Sequence, residues 1–352
     1  MIRVAIANDT IIALEALRRV IATDPSYELI WTAKNGAEAV QQCQQDRPDL
    51  LLMDLLMPDV SGVEATRQIM QRSPCGILIV TASVRRNTAK VFEAMGYGAL
   101  DVVRTPTLNS TLSPVSGSGL GSAQGALPAA AQPLLAKMAT VAKFLGKSTR
   151  QTSVRSPLSS STVSSVKAPL IAMGASTGGP KAIANVLSRL PADFNSAIVV
   201  VQHIDQQFAE GLADWLNQQT PLRVKLANSG AQPEVGTVLV AKARQHLAMQ
   251  PDGQLAYVPA TSASDYYYPS VDVFFQSLAE HWPRRGKAIL LTGMGRDGAA
   301  GLGRLRAAGW ETIAESEETC VVYGMPRAAI EQGAACRVLP LEKIADAIAY
   351  GL

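Results

Sequence analysis

Short apolar runs alternate with segments of helical period over two stretches of this chain, and that alternation admits few architectures. In the first stretch the runs fall at residues 4–7, 29–33, 50–53, 77–80 and 100–103, with helical periodicity over 15–21 and 37–45. Strands this apolar have no solvent face. Each is followed by a helix, which is the pattern of a parallel sheet covered on both sides. From Pro169 onward the pattern resumes, with runs at 170–173, 197–202, 238–241 and 288–292 and helices after Pro180 and after Gly298. The fold class is therefore α/β, two doubly wound parallel-sheet domains. Between them, 107–125 is rich in Ser, Gly, Thr and Leu without period, while Leu134, Leu135, Met138, Val141, Ala142 and Leu145 mark a closing helix. Residues 147–167 carry Ser, Thr and Val with scattered basic residues, as a linker does. The expected domains are 1–146 and 168–352, joined by 147–167.

Composition narrows the function classes. The 352 residues exceed one ordinary core, 47% are hydrophobic, and a net charge of +3 is too small for a nucleic-acid surface. The four cysteines, Cys43, Cys75, Cys320 and Cys336, form no CxxC pair and do not cluster with the three histidines, which argues against a disulfide framework and a zinc site. Met1 leads directly into an apolar strand and no run approaches membrane-spanning length. A soluble cytoplasmic protein without direct membrane insertion is expected.

In open parallel sheets, ligands gather outside the carboxyl ends of the strands. In the first domain Asn8 and Asp9 follow the first strand, Asp54 ends the third and Thr81 ends the fourth. Acids at adjacent strand ends suit Mg²⁺, a hard cation that takes oxygen ligands. Singly, each could be a helix cap; four coincident strand ends argue for a site. In the second domain Gly174-Ala-Ser176-Thr-Gly178 fits G-x-S-x-G between a strand and a helix, which makes Ser176 a nucleophile candidate. Of His203, His246 and His281, only His203 directly follows a buried strand, so it is the favoured base. Asp297, in Thr292-Gly-Met-Gly-Arg-Asp-Gly298, is the acid that would orient it. The chain order Ser, His, Asp differs from that of the α/β-hydrolases, so the serine motif does not assign that fold. A different reading exists for the same stretch. Gly293-Met-Gly295-Arg-Asp-Gly298 fits G-x-G-x-x-G, and Glu315 follows at a distance suited to a ribose, as in a dinucleotide-binding oxidoreductase. That leaves Ser176 and His203 without a role. A third reading is a non-catalytic phospho-switch that only binds receptors.

With these residues in view, the first domain resembles response-regulator receiver domains. The resemblance implies phosphorylation of Asp54 by a histidine kinase, Mg²⁺ held by Asp9, Asp54 and the Leu56 carbonyl, and Thr81 as the switch residue contacting the phosphoryl oxygen. The family's usual acid pair is Asn8-Asp9 here, its lysine is Thr105, and its aromatic switch position is Val102. The second domain resembles the CheB family of chemotaxis protein-glutamate methylesterases, through Ser176, His203, Asp297, Pro269-Ser-Val-Asp-Val273 and Val321-Val-Tyr-Gly-Met-Pro326. This implies a Ser176, His203, Asp297 triad with the Met294 backbone N–H as oxyanion donor. It also implies no cofactor in the esterase site, a methylated chemoreceptor-like protein as substrate, and glutamine deamidation as a slower side activity. Tyr268 stands where the family commonly has arginine. Asn8-Asp9, Phe92-Glu-Ala-Met95 and Gly98-Ala-Leu-Asp-Val-Val103 further resemble the methylesterases of Wsp-type surface-sensing pathways.

Overall fold

The apolar runs do become strands. The computed structural model describes residues 1–82, 84–106, 131–145, 169–242, 245–259 and 269–350. The segment 107–125, the linker 147–167 and Tyr268 lie outside the described residues. The chain forms two compact units, each built on one parallel sheet.

The first unit runs β1 (Ile2–Ala7), α1 (Ile11–Ala22), β2 (Tyr27–Ala33), α2 (Gly36–Gln45), β3 (Leu50–Asp54), α3 (Gly62–Arg72), β4 (Gly76–Thr81), α4 (Val84–Tyr97), β5 (Asp101–Arg104) and α5 (Gln132–Leu145). Its sheet has the order β2-β1-β3-β4-β5, with every pair parallel. The order reverses direction between β1 and β3, and the crevice at that switch point opens at Asn8, Asp9 and Asp54. One side of the sheet packs Val4, Ile6, Leu50, Leu52, Leu78 and Val80 against α1 and α5. Polar residues begin the helices as the sequence directs. Asn35 accepts the Glu38 N–H at the start of α2 and Ser61 accepts the Glu64 N–H at the start of α3.

The second unit runs β6 (Leu170–Ala175), α6 (Gly179–Ser188), β7 (Ala197–Gln202), α7 (Gln206–Gln219), β8 (Arg223–Leu226), β9 (Thr237–Val240), β10 (His246–Met249), β11 (Leu255–Val258), α8 (Val271–His281), β12 (Lys287–Leu290), α9 (Ala299–Ala307), β13 (Glu311–Glu315), α10 (Met325–Glu331), β14 (Arg337–Leu339) and α11 (Leu341–Tyr350). Seven parallel strands take the order β14-β13-β12-β6-β7-β9-β8, and β10-β11 form a separate antiparallel pair. The chain adds strands to one side of β6 and then returns through β12 to the other, so the switch point lies between β6 and β12. Phe274 and Phe275 of α8 are fully buried in the core with Leu302 and Leu305 of α9. Replacing either phenylalanine by alanine would cost about 3–5 kcal/mol, so α8 is a rigid support for whatever its first turn touches.

Candidate active site

Three loops meet at the switch point of the second sheet. Ser176 follows β6, His203 follows β7, and Thr292 to Asp297 follow β12. Ala175 and Gln202 are register partners, and the His203 N–H donates to the Ala175 carbonyl at 3.0 Å, so Ser176 and His203 leave neighbouring strand ends together. Gln202, buried at the end of an otherwise apolar strand, donates from Nε2 to the carbonyls of Ser176 at 2.8 Å and His203 at 2.9 Å. The Ser176 N–H donates to the Thr292 carbonyl at 3.0 Å, tying the serine turn to the β12 loop. Gly293 is required there, because a Cβ on it would overlap the Met325 sulfur and lie 2.7 Å from the Ser176 Cβ.

His203 Nε2 faces Asp297 Oδ2 at 2.7 Å, and the two side chains are only 9% and 7% exposed. Asp297 is held on every side. Oδ1 accepts the Ser270 hydroxyl at 2.8 Å and the Asp272 N–H at 3.1 Å, and Oδ2 also accepts the Val271 N–H at 2.6 Å. Burial alone would push this carboxyl up. The hydrogen bond and charge of His203, with the Val271 N–H and the Ser270 hydroxyl, outweigh that and hold it below the ordinary aspartate value. Asp272 answers from the opposite direction, its Oδ1 accepting the Gly301 N–H at 2.6 Å, so Asp297 caps α8 while Asp272 caps α9. Burial pushes Asp272 up to about 6, against the N–H of Gly301 and with the nearby charge of Asp297 adding to the rise.

The other two histidines take different positions. His246 opens β10, is buried, and its Nδ1 accepts the Ser270 N–H at 3.0 Å. His281 ends α8, with Nε2 3.9 Å from the Glu280 carboxylate. Met294 is half-buried in the β12 loop, and among the described residues its N–H donates to no acceptor within the chain. Glu315 departs from the dinucleotide reading. It is fully buried, and its oxygens accept the Thr292 N–H at 2.8 Å and the Thr319 hydroxyl at 3.1 Å. The Gly293 N–H, which that reading would offer to a pyrophosphate, donates to the Val322 carbonyl at 3.0 Å. An acid committed in this way cannot also hold a ribose, and the dinucleotide reading loses its anchor. Sequence reasoning did not single out Gln202, Ser270, Thr292 or His246 for the site. The one available signal was a polar residue at the end of an apolar run, at Gln202 and Thr292.

In the first sheet Asp54 accepts the Asn8 amide on Oδ2 at 3.0 Å and the N–H groups of Leu55 at 2.7 Å and Leu56 at 3.4 Å on Oδ1. Burial pushes Asp54 up to about 6, the two backbone N–H groups oppose the rise, and the charge of Asp9 adds to it. Gly62 lets α3 begin against β3, since a Cβ there would overlap the Asp54 carbonyl oxygen. Thr81 is buried, with its hydroxyl accepting the Asn87 amide of α4 at 3.4 Å. Val102 and Thr105 are buried, whereas Arg104 between them is exposed. Among the described residues no three His, Cys, Asp or Glu side chains gather as a metal cluster. The donors present are two carboxylates and carbonyls, a set that suits Mg²⁺ retaining several waters.

A family model described as CheB methylesterase matches residues 171–348. The chain belongs to the CheB methylesterase family. A response regulator receiver domain model matches residues 4–113. A protein of Pseudomonas aeruginosa named protein-glutamate methylesterase/protein-glutamine glutaminase 3 is 46% identical over 347 residues, 99% of this chain and 98% of its own. One of Pseudomonas fluorescens, named protein-glutamate methylesterase/protein-glutamine glutaminase 1, is 48% identical over 344 residues, 97% of each chain. The crystal structure of the Thermotoga maritima CheB methylesterase catalytic domain matches with a TM-score of 0.50 at 35% identity, over 53% of this chain and 100% of that one. As a CheB methylesterase with a receiver domain, the chain is a hydrolase. No helix among the described residues is long and apolar enough to cross a membrane.

Proposed function

We propose that this chain is a cytoplasmic, phosphorylation-regulated protein-glutamate methylesterase acting on γ-glutamyl methyl esters of a chemoreceptor-like protein in a chemosensory pathway. Its receiver is residues 1–146, its linker 147–167 and its catalytic domain 168–352. The observation that carries the reading is the 2.7 Å contact of His203 with a buried, four-donor Asp297 on the strand ends that also present Ser176. Because Nε2 faces Asp297, Nδ1 is the nitrogen that takes the proton from Ser176 Oγ as it attacks the ester carbonyl. The Met294 N–H stabilises the oxyanion, the protonated imidazole returns the proton to the leaving methoxide, and methanol departs. Water, activated by the same histidine, then releases the glutamate carboxylate and Ser176. A glutamine side chain would lose ammonia by the same route, more slowly because its leaving group is poorer.

In the receiver, Asp54 accepts a phosphoryl group from a kinase phosphohistidine, and Thr81 contacts it. Asp9, Asp54 and the Leu56 carbonyl would hold Mg²⁺, which when bound neutralises charge on the phosphoryl oxygens. A coupling of about 1–3 kcal/mol would raise esterase activity about 5- to 150-fold, and Val102 and Thr105 in place of the family's usual residues set it at the low end. Asn8-Asp9 and the Phe92 to Met95 and Gly98 to Val103 segments support a Wsp-type subtype, in which the pathway output is a diguanylate cyclase. Loss of this chain would then change cellular cyclic di-GMP, and unchanged levels with altered swimming would remove the subtype.

The test is methanol release from methylated receptor membranes by wild type and Ser176→Ala, with and without a small phosphodonor and Mg²⁺. Release by wild type alone, increased by the donor, is the expected result. Release that ignores the donor removes the regulatory half, and no release from wild type leaves the receptor-binding switch as the surviving reading.

A further inference from the structure

Glu315 was the residue the dinucleotide reading needed, and the structure gives it another task. It ends β13, is fully buried, and spends one oxygen on the Thr292 N–H at 2.8 Å and the other on the Thr319 hydroxyl at 3.1 Å. The same Thr319 oxygen accepts the Leu341 N–H at 3.1 Å, which fixes its position at the start of α11. Thr292 transmits the hold toward the nucleophile, since its carbonyl accepts the Ser176 N–H at 3.0 Å. Its hydroxyl accepts the Val322 N–H at 2.8 Å, and the next residue, Gly293, donates to the Val322 carbonyl at 3.0 Å and accepts from Gly324 and Met325 at 3.1 and 2.8 Å. Three successive peptide planes are thus pinned, Leu291–Thr292 by the Glu315 carboxylate, Thr292–Gly293 by Ser176 and Val322, and Gly293–Met294 by the N–H groups of Gly324 and Met325.

We propose that Glu315 is a positioning residue for the ester hydrolysis, fixing through Thr292 both the Ser176 turn and the aim of the Met294 N–H. This rests on the reading of Ser176 and Met294 given above. Glu315 touches neither substrate nor nucleophile. A buried backbone N–H deprived of its acceptor is costly, so without the carboxylate the Leu291–Thr292 peptide turns toward another partner, and the shift passes through the Thr292 carbonyl to Ser176 and along the chain to Met294. Displacement of the reacting geometry by about 1 Å costs on the order of 10²-fold in rate. Glu315 is fully buried and offers no surface to a receptor, so the loss falls on kcat and leaves KM.

Full-length wild type, Glu315→Leu and Glu315→Gln would be compared on methylated receptor membranes, with Ser176 titrated by a fluorophosphonate to count competent sites. Glutamine keeps an oxygen for the Thr292 N–H and leucine does not. The expected result is a kcat per titrated site about 10²-fold lower in Glu315→Leu with KM within about twofold, and recovery to within about fivefold of wild type in Glu315→Gln. A Glu315→Leu protein with fewer titrated sites but wild-type kcat per site would make the residue merely structural and overturn the proposal. Where Glu315→Leu does not fold, Thr319→Ala loosens the same carboxylate from its other side. It is expected to lower kcat about threefold at constant KM, and an unchanged kcat overturns the proposal. Wild type that neither releases methanol nor labels at Ser176 would instead sink the serine-hydrolase reading itself.

Discussion

Asp54 and Asp297 are both desolvated aspartates at the carboxyl ends of parallel strands, yet their acidities move in opposite directions. Asp54 receives one amide donor and two backbone N–H groups beside a like charge, and rises to about 6. Asp297 receives a hydroxyl, two backbone N–H groups and an imidazole able to carry positive charge, and falls below the ordinary value. Burial is common to both. At Asp54 burial prevails over two backbone N–H groups, with Asp9 adding the smallest part of the rise, whereas at Asp297 the hydrogen bond and charge of His203, with the Val271 N–H and the Ser270 hydroxyl, outweigh it. A carboxylate left unneutralised has a use for an incoming cation, whereas one saturated by the protein serves to orient what it already holds.

The largest break in that contrast would come from Asp297→Asn. One face of the new amide would meet N–H or O–H donors, and the negative charge opposite His203 would be gone. The expected loss is on the order of 10⁴-fold in kcat for methanol release, and retention of near-normal turnover would mean that the charge at Asp297 is dispensable. Next in size is the effect at Asp272, whose folded pKa is about 6 against 3.8 for the free side chain. As pH rises through this window the unfolded chain ionises first, so stability falls between roughly pH 4 and 6 and stays lowered above it. Asp272→Asn keeps an oxygen for the Gly301 N–H, and after allowance for partial exposure it should gain about 1–2 kcal/mol at pH 7.5. The gain should vanish toward pH 4 in denaturant midpoints. A variant weaker than wild type at pH 7.5 would show that the charge stabilises α9 by more than its burial costs.

The receiver side is sharpened by Asn8→Asp, which replaces the amide donor at Asp54 by a third negative charge beside Asp9 and Asp54. The Mg²⁺ concentration needed for half-maximal phosphorylation by a small phosphodonor should fall about tenfold; no change would mean that residue 8 does not feel the cation. The smallest effect belongs to Ser270→Ala. Removing one cap and one of four donors to Asp297 should cost about 1 kcal/mol in thermal stability and a few-fold in kcat, and loss of stability with untouched kcat would separate the cap from the triad.

Much of this contrast was legible in the chain. Runs as apolar as 50–53 and 197–201 end abruptly at Asp54 and at Gln202-His203, so strand ends and their chemistry could be read together. The β14 strand has only three residues and an exposed Val338, and β8 carries Arg223 and Lys225, so neither rises above the background of a polar loop. The β10-β11 pair is antiparallel and four residues per strand, outside the repeating pattern. Glu315 shows the opposite failure: its spacing from Gly293 is a local signal, but its partner Thr292 is brought to it across neighbouring strands, and only the register of β12 against β13 reveals that. Ser270 reaches Asp297 across 27 residues of sequence because the start of α8 packs beside the loop that leads into α9.

The exchange of caps between Asp272 and Asp297 also bears on how the enzyme assembles. The carboxylate that orients His203 closes the first turn of α8, and the first turn of α8 supplies the carboxylate that closes α9. Neither helix start can fray without releasing the other, so amide hydrogen exchange at Val271, Asp272 and Gly301 should proceed as one cooperative opening. Catalytic competence would then be all or none for each molecule, and partial denaturation would lower the number of working enzymes rather than the speed of each.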